Sequence, residues 1–225
     1  FVFSHTWPIR ARPIVNRKSK IILTLDIQKI PSPCFVLDEN LLRENLRLID
    51  RVEEEAGVQV ILAFKGFAMW SAFPIVREYL SGATASSLNE ARLCWEEMKT
   101  LAHTYAVAYA PKEFGKIMAY SSHITFNSIG QYKRFRNRLA KAPHPISAGI
   151  RVNPGWSPVE TDLYNPAAAG SRLGEPAENF KGQLPEGIEG LHFHVLCESS
   201  SHDLETALGH FERQFGTFLP KLKWV

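Results

Sequence analysis

The stretch VILAFKGFAMW (residues 60–70) decides the fold, because it sets a single cation, Lys65, at the end of an apolar run and directly before a glycine. Burying an ammonium without a partner is costly, so a lysine in such a place either leads its charged head to water along an apolar stem or serves a chemical purpose. A partly desolvated lysine loses its proton more readily and attacks carbonyl carbons, which makes covalent catalysis the sharper of the two readings. If VILAFK is a strand, alternation sets Ile61, Ala63 and Lys65 on one face and Val60, Leu62 and Phe64 on the other. Lys65 then stands at the carboxyl end of that strand.

Working outward, short apolar runs alternate with longer amphipathic ones. CFVLD (34–38) reads as a strand, and the helix that follows over 39–57 carries Leu41, Leu42, Leu46 and Ile49 along one face and stops at Gly57. After the strand at 59–65 comes a helix around 69–80. The cycle repeats with a strand at 83–86 and helix at 87–99, a strand at 104–109 and helix at 111–120, and a strand at 123–127 and helix at 129–140. A strand at 146–152, an interruption, a strand at 188–195 and a helix at 203–219 bring the chain to LKWV (222–225), the start of a further strand. Such a cycle calls for parallel strands joined by right-handed crossovers. Seven strands counted from ILAFK approach the eight that close a β/α barrel, whereas the open doubly wound alternative lacks its glycine-rich fingerprint after the first strand.

Bulk properties narrow the function. The chain has 225 residues, 45% hydrophobic and 22% charged, enough for one sizeable core. No apolar run approaches the roughly 20 residues of a membrane span. Five of the 26 basic residues (Arg10, Arg12, Arg17, Lys18, Lys20) fall within the first twenty positions, so 21 remain against 23 acidic residues, and the body offers no field for nucleic acid. Residues 1–25 read as a disordered basic extension and 26–225 as the barrel domain. Cys34, Cys94 and Cys197 form neither a disulfide framework nor a CxxC knuckle, which fits a reducing, cytoplasmic setting.

A barrel places its active site at the carboxyl ends of its strands, and polar residues gather there. Ser86, Ser87 and Glu90 follow one strand, Asn127 and Ser128 another, Arg151 a third, and His192, His194, Cys197 and Glu198 a fourth. Each has a plainer reading. Ser87 with Glu90 is a helix capping box, Ser128 a second cap, and Arg151 an ion pair at the core's edge. The pair His192 and His194 with Cys197 and Glu198 would also suit a metal-dependent barrel hydrolase, although no further ligand set accompanies them. The interruption at 153–176 is too long for an ordinary connection, and its Glu160, Asp162, Tyr164, Ser171 and Arg172 suit contact with a substrate.

The segments PSPCFVLDE, LAFKGFAMWS, GATASSLNEARL, RVNPGWSPVETDLYNP, GSRLG and GLHFHVLCES together resemble the carboxynorspermidine decarboxylase family. That family is a member of the alanine racemase-like, fold-type III group of pyridoxal phosphate enzymes, and the resemblance runs from about Ile30 to Val225. It implies a parallel β/α barrel followed by a β-domain, a homodimer, and removal of carbon dioxide from carboxynorspermidine or carboxyspermidine in polyamine biosynthesis. It implies that Lys65 carries pyridoxal 5'-phosphate, that His194 packs against its ring, and that Ser87, Glu90 and Arg151 support the site. Glu160, Asp162, Ser171, Arg172 and Glu198 are the expected substrate-side residues, with carboxylates as counter-charges for cationic amines. A non-catalytic barrel that only carries the cofactor is the alternative within the same fold. The family's last barrel strand, its phosphate-binding turn and its β-domain are not among these residues, so weak or no turnover is expected of the stretch taken alone.

Overall fold

In the computed structural model, which describes residues 2–3 and 27–225, six short parallel strands lie side by side in the order in which the chain makes them. They are β3 (Leu62–Ala63), β4 (Ala83–Ala85), β5 (Ala102–Tyr105), β6 (Ser121–Phe126), β7 (Ser147–Arg151) and β8 (Ile188–His192). An unreversed order is the winding of a β/α barrel, since a doubly wound sheet changes direction at its centre. Beyond β8 the chain begins a seventh position. Trp224 bridges Gly190 in parallel, and Lys223 N donates to the Glu189 carbonyl at 2.7 Å.

The first helix, α1 (Glu39–Ala56), shows why these boundaries hold. The Asp38 side chain accepts from the Asn40 and Leu41 amides, and Gly57 ends the helix at φ +63°. Leu42, Leu46 and Ile49 face the core. The other helices are α2 (Phe73–Val76), α3 (Leu88–Leu93), α4 (Phe114–Ala119), α5 (Ile129–Leu139) and α6 (Ser201–Phe215). Ser87, Ser128 and Ser200 cap α3, α5 and α6.

Several expected elements differ. The run at 34–38 enters no ladder among the described residues, and Phe35 is 102% exposed; an apolar run becomes a strand only where an edge receives it, and Pro31 and Pro33 withhold donors. The strand expected at 59–65 divides. Its first part, β2 (Val58–Gln59), pairs antiparallel with β1 (Val2–Phe3), while the second part, β3, joins the barrel sheet. The expectation for residues 1–25 otherwise lies outside the described residues. Helix 69–80 contracts to a 3-10 turn at Trp70–Ala72 followed by α2, and the strand expected at 104–109 lies earlier, over β5.

Two apolar layers sit between the sheet and its helices. Phe64 and Phe73 stack at 5.2 Å in the layer under α1, α2 and α3. Phe114, Phe126, Phe135, Phe211 and Phe215 fill the larger layer under α4, α5 and α6. On the opposite face of the sheet the Trp224 indole lies flat across Gly149 and Gly190, where a Cβ would come within 2.2 Å and 2.0 Å of its ring. Its Nε1 donates to Ser147 Oγ at 2.8 Å. His123 meets the indole edge-on and stacks at 3.8 Å on His103, so two imidazoles fill the amino-terminal end of the interior.

Candidate active site

Phe64 is buried in the layer beneath the helices, and Lys65, in the turn just past the carboxyl end of β3, is exposed. The amides of Gly66 and Phe67 both return to the Ala63 carbonyl, and this tight turn fixes where Lys65 leaves the sheet. Its Nζ lies 3.3 Å from His194 Nε2, joining the first barrel strand to the loop that leaves β8. Both residues border a cavity of about 280 Å³ together with Tyr105, Arg151, Tyr164 and Cys197.

The electrostatics of this cavity are one-sided. Arg151 is only 4% exposed; its Nη1 donates to Tyr105 Oη at 2.6 Å and its Nη2 to the His194 carbonyl at 2.9 Å. Both acceptors are neutral, and among the described residues no carboxylate stands within ion-pair distance of Arg151. Its Nε, like His192 Nε2, is enclosed without a partner. Burial, with Lys65 and Arg151 adding repulsion, pushes the His194 imidazole down to about 4. Burial, then His194 and Arg151, pushes His192 to about 3. Both are neutral at pH 7, and two cationic side chains face the cavity without an anion between them. An uncompensated buried guanidinium is expensive, so the site suits an anionic ligand.

One wall comes from the interruption at 153–176, which is an ordered segment. Glu175 N donates to the Arg151 carbonyl at 2.8 Å and Asn153 N to the Glu175 carbonyl at 3.0 Å, laying the segment along the end of β7. Gly174 makes this approach possible: at φ +92°, a Cβ there would sit 2.8 Å from the Val152 backbone. The Glu175 carboxylate is buried and accepts from Ile129 N at 2.7 Å and from Asn179 Nδ2.

The residues expected from sequence separate into three groups. Lys65, His194 and Arg151 converge on the cavity. Ser87 and Glu90 cap α3, with Ser87 Oγ accepting from Glu90 N at 3.2 Å and the Glu90 carboxylate accepting from Ser86 N. Glu160, Asp162, Arg172 and Glu198 are exposed, and Ser171 Oγ accepts from Leu173 N at 3.2 Å; the segment's contribution to the cavity wall is Val159, Tyr164, Pro166 and Leu173. Tyr105 was not foreseen. The strand-end rule would have found it had β5 been placed at Ala102–Tyr105. His192 and His194, 5.9 Å apart by ring centroid, gather no third partner: among the described residues no three His, Cys, Asp or Glu side chains are grouped to hold a metal ion.

No family model matches the chain. Among curated proteins it is 48% identical over 199 residues to the carboxyaminopropylagmatine decarboxylase of Synechocystis sp., covering 88% of this chain and 51% of that one. It is 42% identical to the carboxynorspermidine/carboxyspermidine decarboxylase of Campylobacter jejuni, again covering 88% and 51%. Among solved structures, carboxynorspermidine decarboxylase from Campylobacter jejuni complexed with norspermidine matches with a TM-score of 0.77 at 40% identity, over 86% of this chain and 49% of that one. Diaminopimelate decarboxylase from Helicobacter pylori shares the fold, with a TM-score of 0.69 at 13% identity. The chain spans about half the length of the curated relatives it matches. Its barrel is thus of the alanine racemase-like type, and over the stretch it covers the chain is homologous to carboxynorspermidine/carboxyspermidine decarboxylases.

Proposed function

We propose that the protein to which this chain belongs removes carbon dioxide from a carboxylated linear polyamine of the carboxynorspermidine or carboxyspermidine class, with pyridoxal 5'-phosphate held at Lys65. The observation that carries this is the contact of Lys65 Nζ with His194 at the carboxyl rim of the barrel, inside a cavity bearing an uncompensated Arg151. An aromatic aldehyde with an anionic phosphate fits that donor set, because Lys65 offers an amine, His194 a neutral aromatic face, and the two cations an attraction for the anion. When bound, such a cofactor supplies an electron-withdrawing ring that takes up the electron pair released as the carboxylate leaves.

The chain's own residues do the rest. Lys65 is the proton carrier at this rim, and the neutral His194 3.3 Å away gives its proton an acceptor. Arg151 is fixed by two hydrogen bonds and keeps its charge on the cavity side, which draws a carboxylate inward and repels ammonium groups. The amine-bearing end of a substrate is thereby directed to the mouth, where Tyr164 offers an aromatic face, and we assign the exposed carboxylates Glu160, Asp162 and Glu198 to that end as counter-charges. Val159, Pro166 and Leu173 keep water from the intervening methylenes.

A second reading concerns the substrate alone. The 48% identity to a carboxyaminopropylagmatine decarboxylase favours that compound as the preferred member of the class. Homodimer formation belongs to the same proposal, and the exposed Met69 and Trp70 just beyond Lys65 are apolar surface available to a second copy. So does a cytoplasmic location, supported by three cysteines without a disulfide; among the described residues no helix is long and apolar enough to cross a membrane. The test is carbon dioxide release from carboxynorspermidine, carboxyspermidine and carboxyaminopropylagmatine by full-length protein carrying this sequence, with Lys65→Ala as control. Release from none of the three, or undiminished release by Lys65→Ala, would overturn the proposal.

A further inference from the structure

Tyr105, the one tyrosine within the described strands, has polar partners on two sides of its hydroxyl. Its Oη accepts from Arg151 Nη1 at 2.6 Å and donates to Asn127 Oδ1 at 2.9 Å. Arginine has no acceptor, so the phenol must receive on that side and has one proton to give on the other. The same Asn127 Oδ1 receives the Gly174 amide at 3.2 Å, and Asn127 Nδ2 donates to the Arg172 carbonyl at 2.8 Å. Backbone N–H only donates and C=O only accepts, so the Asn127 amide has one orientation, and the direction of every bond in the chain is set.

The ring of Tyr105 is fixed as firmly as its oxygen. The Arg151 guanidinium lies 5.2 Å from the ring centroid, and the His192 imidazole stacks on the ring with centroids 5.2 Å apart. Arg151 in turn holds the His194 carbonyl at 2.9 Å, and His194 faces Lys65 at 3.3 Å. A continuous run of polar contacts therefore leads from the wall segment at Arg172–Gly174, through Asn127, Tyr105 and Arg151, to the Lys65–His194 pair. It touches the carboxyl ends of β6, β5, β7 and β8 in turn and ends on the turn that follows β3. Tyr105 is the only link with a bond on each side that an apolar ring of the same shape would remove.

We infer that Tyr105 is a positioning residue whose hydroxyl ties the wall segment around Gly174 to the Lys65–His194 pair, so that the cavity wall and the reactive amine hold one geometry together. This rests on the reading of the Lys65 cavity as the active site. Replacing the phenol by phenyl leaves Arg151 Nη1 without its acceptor and removes one donor from Asn127, both at the base of the cavity. Losing the neutral bond between Tyr105 and Asn127 is worth about threefold to tenfold in a local equilibrium, and losing the charge-assisted bond from Arg151 is worth more.

The experiment compares full-length wild type, Tyr105→Phe and Asn127→Ala by two readouts that use no cofactor and no turnover. Hydrogen exchange of the Gly174 amide reports the wall, and the rate of trinitrobenzenesulfonate labelling at Lys65, read by peptide mapping, reports the amine. The inference expects both variants to speed Gly174 exchange by about threefold or more and both to change Lys65 labelling in the same direction, with urea midpoints close to wild type. Unchanged Lys65 labelling in Asn127→Ala would overturn it, since the phenol would then act on the amine without the wall. Unchanged Gly174 exchange in Tyr105→Phe would overturn it as well. Should Tyr105→Phe not fold, Asn127→Ala alone decides, because it leaves the phenol and Arg151 in place. Failure of pyridoxal 5'-phosphate to attach to Lys65 is a separate result that bears on the decarboxylase proposal and not on this coupling.

Discussion

Replacing Gly190 by alanine places a methyl carbon 2.0 Å, 2.1 Å and 2.4 Å from three atoms of the Trp224 indole. Neither side has room to yield: the glycine is inside β8, paired with Gly149 of β7, and the indole lies over both strands. Trp224 must leave, and with it the Nε1 bond to Ser147 and the edge-on contact with His123. Displacing a buried tryptophan costs about 3 to 5 kcal/mol, whereas forcing a methyl into a core that can adjust costs roughly 1 to 3. The larger range is expected here, because Trp224 is 8% exposed and its bed is backbone. Urea unfolding of wild type, Gly190→Ala, Trp224→Ala and the double variant forms a cycle. Each single change should cost about 3 to 5 kcal/mol, and the double variant little more than Trp224→Ala alone, since the second change removes the clash. Additive costs would refute the reasoning, for they would mean that the methyl and the indole do not compete for the same space.

Acid should weaken the fold through its buried imidazoles. Burial pushes His103 and His192 to about 3 and His194 to about 4. Between those values and the unfolded value near 6.5, the unfolded chain binds protons that the folded chain refuses, so stability is complete above about pH 6.5 and falls as pH drops. Each such histidine removes about 2 kcal/mol between pH 6.5 and 5. Urea midpoints across this range should show the loss, and His103→Gln should flatten it; parallel slopes would contradict the assignment. Ser200→Ala should cost about 1 kcal/mol, because Ser200 Oγ accepts from Asp203 N at 3.3 Å while the Asp203 carboxylate accepts from Ser200 N at 2.7 Å at the start of α6. An unchanged thermal midpoint would show that this capping box adds nothing.

The parts of this molecule legible in its sequence are those set by local periodicity and punctuation. Asp38 and Gly57 mark the ends of α1 because a side-chain acceptor and a left-handed residue are local needs. The apolar run that ends at Lys65 places the lysine at the rim, in the turn after β3, and the repeated strand and helix cycle gives the unreversed sheet order. Distant partners decide the rest. The local run at 104–109 set the expected strand too late, and only the pairing of His103 with His123 shows that β5 ends at Tyr105. Gly149 and Gly190 read as ordinary strand glycines until Trp224 covers both. The charged residues of the 153–176 segment drew attention, yet it is Val159, Tyr164 and Leu173 that reach the cavity, because Asn127 and Ile129, from elements far away in sequence, anchor its Arg172 and Glu175. Phe35 and Val36 have the composition of a strand and are exposed, since composition does not provide an edge to pair with.

The central claim is that the amine of Lys65 carries an aldehyde cofactor at the rim of the barrel. Its most direct measurement is peptide mapping of folded, full-length protein incubated with pyridoxal 5'-phosphate and then reduced with borohydride. The account predicts one phosphopyridoxyl group per chain on Lys65, lost in Lys65→Ala. A label confined to other lysines, or none on protein that is folded, would contradict it.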